Sequence, residues 1–240
     1  PAKSCYGENH GHSVGGGSWF YEGLHAICSR VHDDYVAQDA LTTAEGSSDA
    51  FIDVIDGLLT VTTRTTDDLP FWHAVYGGYT TYFGTPENHL DDDATFWALQ
   101  TREMLWGQVM GWYHPDMLNK PSKVSMVNSL IAFRQANLDC LAYGELLGEV
   151  RFEGEVSEMK LEMLGRMNFA DWGNPKAKRS KTTCGSVPSL IGYAYRSGTT
   201  GKTALLVANL TSEAREVALS WEGARSEAKL PPREVLRIDL

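Results

Sequence analysis

The densest run of chemistry-bearing side chains is Cys5-Tyr-Gly-Glu8-Asn-His10-Gly-His12, followed by Ser-Val-Gly-Gly-Gly17. Two histidines separated by one residue, with Glu8 and Cys5 close by, are ligand types that transition metals accept. A His-x-His pair without a third, well-spaced ligand is nevertheless more often an active-site hydrogen-bonding loop. The glycines point the same way, to backbone folded tightly over a ligand. The expectation is that Glu8, His10 and His12 bind substrate, with no metal and no other cofactor. The triple glycine lacks the Lys-Ser/Thr of a P-loop, which excludes that mode of nucleotide binding.

Glu45 is the sharper single residue. It ends an apolar run, precedes Gly46 and has no basic neighbour in sequence. Buried at the end of a strand, its pKa would rise toward neutrality, which suits a general acid. The plainer alternative is a helix cap or a solvent-facing side chain. Asp49 is a candidate second carboxylate, whereas Asp53 and Asp56 read as helix-surface and helix-exit residues. Trp19, Trp72, Tyr76, Trp106, Trp112 and Tyr113 are many aromatics for strand ends and loops. Flat apolar faces with polar edges stack on sugar rings, and Tyr76 and Trp112 are the candidates for that role. Core packing is the ordinary explanation for Trp72, Trp97 and Trp106.

These residues need elements to hold them. Phe20, Leu24, Ile27, Cys28 and Val31 lie at helical spacing, with Ser18 as N-cap. Strands are expected at 40–44, 57–61, 71–76 and 107–113. Helices are expected after Ser47 or Ser48, after Asp91-Asp-Asp93, and from about 123 to 143, with Val127, Leu130, Ile131, Leu138 and Leu141 inward. Carboxylates suit the start of the second of these helices because of the helix dipole. Strand, loop and helix repeated four times is the pattern of a parallel α/β architecture.

A complete barrel of this kind takes roughly 250 residues, and about 150 carry the pattern. The fold class expected is α/β: the C-terminal half of a (β/α)8 TIM-type barrel, strands five to eight, over residues 1–150. A small antiparallel β-sandwich is expected over 151–240. An open α/β sheet is the alternative for the first part. In the second part, residues 156–163 suit either a strand or a helix. Alternating runs at 190–195, 203–208, 216–221 and 234–240, separated by turns at Ser197–Gly201 and Asn209–Ser212, read as antiparallel strands.

Composition bounds the partners. The 240 residues are 42% hydrophobic, enough for a sizeable core, and 22% charged. A net charge of -10, from 21 Lys and Arg against 31 Asp and Glu, argues against a nucleic-acid partner. The basic cluster at Lys176–Lys181 reads as a solvated turn. No run approaches a membrane span, and none is expected to contact a membrane. Pro1 opens a sequence that does not read as a signal peptide, so either a leader has been removed or the chain is a piece of something longer. Cys5, Cys28, Cys140 and Cys184 are far apart with no CxxC, and are expected as unpaired thiols. The compartment stays open.

The stretches at 5–19, 41–46 (Leu-Thr-Thr-Ala-Glu-Gly), 51–57 (Phe-Ile-Asp-Val-Ile-Asp-Gly) and 75–84 (Val-Tyr-Gly-Gly-Tyr-Thr-Thr-Tyr-Phe-Gly) together resemble the C-terminal part of large barrel glycoside hydrolases. The nearest group is a bacterial glycosidase-like family similar to endo-α-N-acetylgalactosaminidase-type and α-galactosidase-type barrels. The resemblance implies a carbohydrate substrate and a retaining mechanism, with an Asp nucleophile ending strand four and an acid/base Glu ending strand five. Glu45 matches the second by position. The first should lie upstream of the His10-Gly-His12 loop, and residues 1–9 contain no Asp. The chain is therefore expected to be truncated, and to self-associate or to pair with a missing barrel half. Two rival readings stand beside this one. One is a carbohydrate-binding or scaffolding protein without turnover, and the other a metal-dependent hydrolase using Cys5, Glu8, His10 and His12.

Overall fold

The computed structural model describes residues 4–36, 40–46, 48–59, 69–84, 91–111, 113, 115–164 and 181–240. Helices and sheets are mixed, and most of the strands are antiparallel. Trp112 and most of the basic cluster at 176–181 lie outside the described residues.

The first helix, α1 (Trp19–Val36), starts where Ser18 donates through Oγ to Glu22 Oε1 at 2.5 Å. Its expected inward positions do not all find cover: Phe20, Leu24, Ile27 and Val31 are exposed, Ile27 at 62%. Only Cys28, on the adjacent flank, packs into a core cluster.

Three short strands follow, β1 (Thr43–Glu45), β2 (Gly57–Leu59) and β3 (Thr81–Phe83), paired in parallel in that order. Thr43, Gly57 and Thr81 stand side by side in register. Val109 adds a parallel bridge to Phe83 in place of the full strand expected at 107–113. A 3₁₀ turn at Asp49–Phe51 links β1 to β2. The run at 71–76, expected as a strand, is a helix, α2 (Phe71–Tyr76). A six-residue apolar run puts Trp72 and Tyr76 on one side at either period, so the pattern could not discriminate. The strand comes after Gly77-Gly78 instead.

Side chains alternate across a strand. Ala44, Leu58 and Tyr82 therefore share one face, where they pack with Val54, Ile55, Phe51, Trp72 and Tyr76. Thr43, Glu45, Leu59, Thr81 and Phe83 share the other face.

Helix α3 (Asp93–Leu105) is capped by Asp92, whose Oδ1 accepts from the amides of Ala94 (2.9 Å) and Thr95 (2.8 Å). The single helix expected over 123–143 is two, α4 (Pro121–Ala136) and α5 (Leu138–Leu141), broken at Asn137. Asn137 turns its Nδ2 back to donate to the Phe133 carbonyl at 2.8 Å. Val127, Leu130 and Leu141 are buried as expected, while Ile131 and Leu138 are exposed.

The remaining strands are β4 (Glu145–Glu149), β5 (Arg151–Phe152), β6 (Glu158–Leu164), β7 (Lys181–Pro188), β8 (Leu190–Arg196), β9 (Thr203–Asn209), β10 (Arg215–Trp221), β11 (Ala224–Leu230) and β12 (Glu234–Asp239). The ambiguous segment at 156–163 is a strand, β6, paired antiparallel with β7. One sheet runs β12-β9-β8-β4 and another β11-β10-β5, all antiparallel. The first sheet takes in β4, which lies just before the boundary expected at residue 150.

The two sheets share an apolar cluster containing Leu205 and Val207 from one and Leu219 and Leu230 from the other. The far face of the four-stranded sheet buries Tyr193, Tyr195, Leu206 and Ala208 against Trp97, Leu105, Leu130 and Leu141 of the helices. Polar tips on that face are satisfied. Tyr195 donates to the Leu105 carbonyl (2.8 Å), Trp106 Nε1 to Tyr193 Oη (2.8 Å) and Trp97 Nε1 to the Asn209 carbonyl (3.2 Å). Covered on both sides, β9 is buried from Ala204 to Asn209 without alternation.

Candidate functional site

The N-terminal loop closes on itself. The Gly15 amide donates to the Cys5 carbonyl at 2.7 Å, and Gly15 and Gly17 take φ of 82° and 107°, where a Cβ would be strained. Inside the loop Cys5 Sγ lies 3.0 Å from His10 Nε2. His10 meets His12 edge-on at 4.4 Å between ring centroids, and His12 stacks on Trp19 at 4.1 Å and 6°. His12 Nδ1 is 2.9 Å from the Ser13 carbonyl. A carbonyl only accepts, so Nδ1 carries a proton. Glu8 is exposed and stands outside this cluster.

Glu45 ends β1, opposite Leu59 of β2, and Gly46 follows with φ of 90° and its amide bonded to the Leu59 carbonyl at 3.0 Å. The side chain is exposed, so the described residues do not supply the burial that a neutral acid requires. Asp49 and Tyr76 come together: the Tyr76 hydroxyl donates to Asp49 Oδ2 at 3.1 Å. Burial, then that hydrogen bond and the Asp49 charge, push the Tyr76 hydroxyl above its ordinary pKa. Behind it, Tyr82 is pushed up to about 12 by burial and by the charges of Tyr76 and Asp49. Trp72 stacks on Tyr76 at 5.7 Å. This pair therefore belongs to the helix-covered side of the sheet, whereas Glu45 faces the open side. Two of the expected substrate contacts are joined, but not to the expected acid.

A cleft of about 650 Å³ runs along the open face, lined by Thr43, Thr81, Phe83 and Val109 and reaching His73 and Arg134. Neither Glu45, Asp49 nor Tyr76 borders it. His73 is 8% exposed, and burial and then the Arg134 charge push its pKa down to about 4. It is neutral near pH 7, and its Nε2 has no partner among the described residues. The backbone crowds it closely, since a Cβ at Gly107 would fall 2.2 Å from its ring.

Asp53 and Asp56, expected as helix-surface and helix-exit residues, each hold a specific partner. His25 Nε2 lies 2.9 and 3.1 Å from the two Asp53 oxygens. Asp56 Oδ2 accepts from both the amide and the hydroxyl of Thr42 at 2.8 Å, which fixes the approach to β1. Burial pushes Asp56 up, but the Thr42 hydrogen bonds and the nearby His32 outweigh it and hold the carboxyl below its ordinary range. The fourteen-residue separation from Thr42 hides this clamp from local pattern.

Comparison with known proteins bears on the same region. The model of a domain of unknown function, DUF6259, matches residues 1–87, which hold the loop and all three parallel strands. A Bacteroides thetaiotaomicron protein named "Putative glycoside hydrolase" is 25% identical over 185 residues, covering 72% of this chain and 27% of that protein. The crystal structure of a noncanonic maltogenic α-amylase from Thermotoga neapolitana aligns with 90% of this chain and 58% of its own, with a TM-score of 0.48 and 12% identity. The chain thus spans about a quarter of the curated relative it matches. Over most of its own length it is similar to a protein that bears a glycosidase name.

Proposed function

We propose that this polypeptide is part of a glycoside hydrolase that cleaves glycosidic bonds with retention, using two carboxylates. The observation that carries the reading is Glu45 at the C-terminal end of β1, the first of three consecutive parallel strands. In α/β barrels that end of the strand is where catalytic side chains sit. The relative's name and the residues quoted from the loop and strands support the same class, with endo-α-N-acetylgalactosaminidase-type and α-galactosidase-type barrels as the finer comparison. On this reading the strands of residues 1–150 are strands five to eight of a barrel, followed by the β-sandwich of 151–240.

Glu45 acts as the acid/base. In the first step it protonates the leaving glycosidic oxygen, and in the second it takes a proton from the attacking water. Retention asks for a nucleophilic carboxylate about 5–5.5 Å away. The nucleophile comes from a segment preceding the His10 loop, which also buries Glu45 and completes the barrel over the open face. Glu8, His10, His12, Asp49, Tyr76 and Trp112 hold the sugar. The chain with that segment present should hydrolyse aryl glycosides. Glu45→Gln should lower kcat/KM by about 10²–10⁴-fold for substrates with poor leaving groups, and much less for activated ones. Full activity of Glu45→Gln on poor leaving groups would remove Glu45 from this role.

The exposure of Glu45 favours a second reading, a carbohydrate-binding module without turnover. Saturable sugar binding with no product from the completed polypeptide would select it.

A further inference from the structure

We propose that Cys5, His10 and His12 form a mononuclear site for a divalent transition metal, zinc above all. The spacing of the two histidines offers only a pair, and the fold supplies the third ligand by carrying Cys5 back against them. One ligand atom from each of the three residues lies within 4.8 Å of the other two, and the Cys5–His10 edge is 3.0 Å. Tetrahedral zinc with Zn–S near 2.3 Å and Zn–N near 2.0 Å has ligand–ligand edges of about 3.3–3.5 Å. Side-chain adjustments on the order of 1 Å bring the three atoms to such a triangle.

Three further features suit a metal more than a chance cluster. His12 is oriented as a ligand needs, with Nδ1–H on the Ser13 carbonyl, which leaves Nε2 as the nitrogen to ligate. Such an outer hydrogen bond orients a ligating imidazole and raises its basicity. Trp19, stacked on the His12 ring, fixes its plane from the start of α1. Gly7 leaves the room for His10 to fold over, since a Cβ there would lie 2.4 Å from His10 Cε1. One thiolate and two imidazoles suit a borderline-soft divalent ion, and three protein ligands leave a fourth position open. His10 is exposed, so that position is reachable by water or a small anion. The inference rests on this loop alone: it makes His10 and His12 ligands in place of direct sugar contacts, and leaves the role proposed for Glu45 untouched.

The test is cobalt(II) titrated into the metal-stripped 240-residue chain and followed by absorbance. The expected result is a near-ultraviolet thiolate-to-cobalt band that saturates at one equivalent and is bleached by zinc. Cys5→Ser should abolish the band, and His10→Ala or His12→Ala should each weaken cobalt binding at least ten-fold. Cys28→Ser should leave the band intact. Gly7→Ala keeps every ligand yet should also weaken binding, because the loop can no longer close on His10. The three ligands lie outside the core clusters, so far-UV circular dichroism should be the same in all variants. No thiolate band in the unaltered chain, a band that survives Cys5→Ser, or cobalt binding indifferent to both histidine substitutions would overturn the proposal.

Discussion

Residues 4–84 and residues 91–240 solve the burial problem differently. The second region buries its four-stranded sheet on both faces, with helices on one side and a second antiparallel sheet on the other. Among the described residues, the first region packs one face of its parallel sheet into a core cluster, and a cleft of about 650 Å³ runs along the other. Of the 32 buried hydrophobics among the described residues only four (Val54, Ile55, Leu58 and Tyr82) precede residue 90, whereas thirteen of the eighteen described exposed large hydrophobics do. Parallel sheets are characteristically covered on both faces. Among the described residues, a cleft along one face of the parallel sheet and an exposed apolar stripe on α1 are the surfaces to which the proposed reading assigns a covering segment. Among the described residues the antiparallel region holds most of the buried core, and the parallel region holds the proposed site.

Substitutions can break that contrast. The largest expected effect is Leu206→Ala, a fully buried side chain on β9, which should cost about 2–5 kcal/mol in urea unfolding. Ile27→Ala, on the exposed stripe of α1, should change stability by less than about 0.5 kcal/mol. Equal costs would mean that α1 is covered after all.

The next effect is a pH dependence placed in the first region by His73. Its pKa is about 4 in the folded chain against about 6.5 unfolded. Between these values the unfolded state binds more protons, so the His73 contribution is complete above pH 6.5 and is lost as pH falls toward 4. Wild type should lose on the order of 2–3 kcal/mol more than His73→Gln between pH 7 and pH 4. Parallel pH profiles would show that His73 is not buried neutral.

Asp92→Ala, which uncaps α3 at the junction of the two regions, should cost about 1 kcal/mol at pH 7. Burial raises the Asp92 pKa, but hydrogen bonds from Thr95 and Ala94 and the Lys123 charge outweigh it and hold the carboxyl low. A depressed carboxylate stabilises above its unfolded pKa, near 4, and loses that effect as pH falls through its folded value. The Asp92→Ala deficit should therefore shrink as the pH falls below 4.

The smallest effect is Tyr76→Phe. Asp49 is exposed and water can replace the lost donor, so stability should move by no more than about 0.5 kcal/mol. A larger loss would make the Asp49–Tyr76 contact structural and argue against a substrate role.

Legibility in the sequence divides along the same line. The β8, β9, β10 and β12 runs are long enough for apolar pattern and turn residues to mark them, and Asp92 announces its helix by chemistry that local sequence carries. Short elements defeat the pattern. At 71–76 helix and strand periods agree on Trp72 and Tyr76, and Ala224–Leu230 reads as polar, so β11 goes unmarked. In the candidate site the His10–His12 pair is visible by spacing. The approach of Cys5, the Tyr76–Asp49 bond and the Thr42–Asp56 clamp depend on tertiary closure that spacing does not encode. Glu45 is marked as a strand-end carboxylate, but its environment depends on whatever covers the open face.

Sedimentation velocity of the 240-residue chain over a range of concentrations tests that cover most directly. On the proposed reading, the cleft face of β1–β3 and the stripe on α1 should drive concentration-dependent association, and a polypeptide extended to complete a barrel should lose it and protect the β1–β3 amides from hydrogen exchange. A monomer at every concentration, with those amides already protected, would contradict the account.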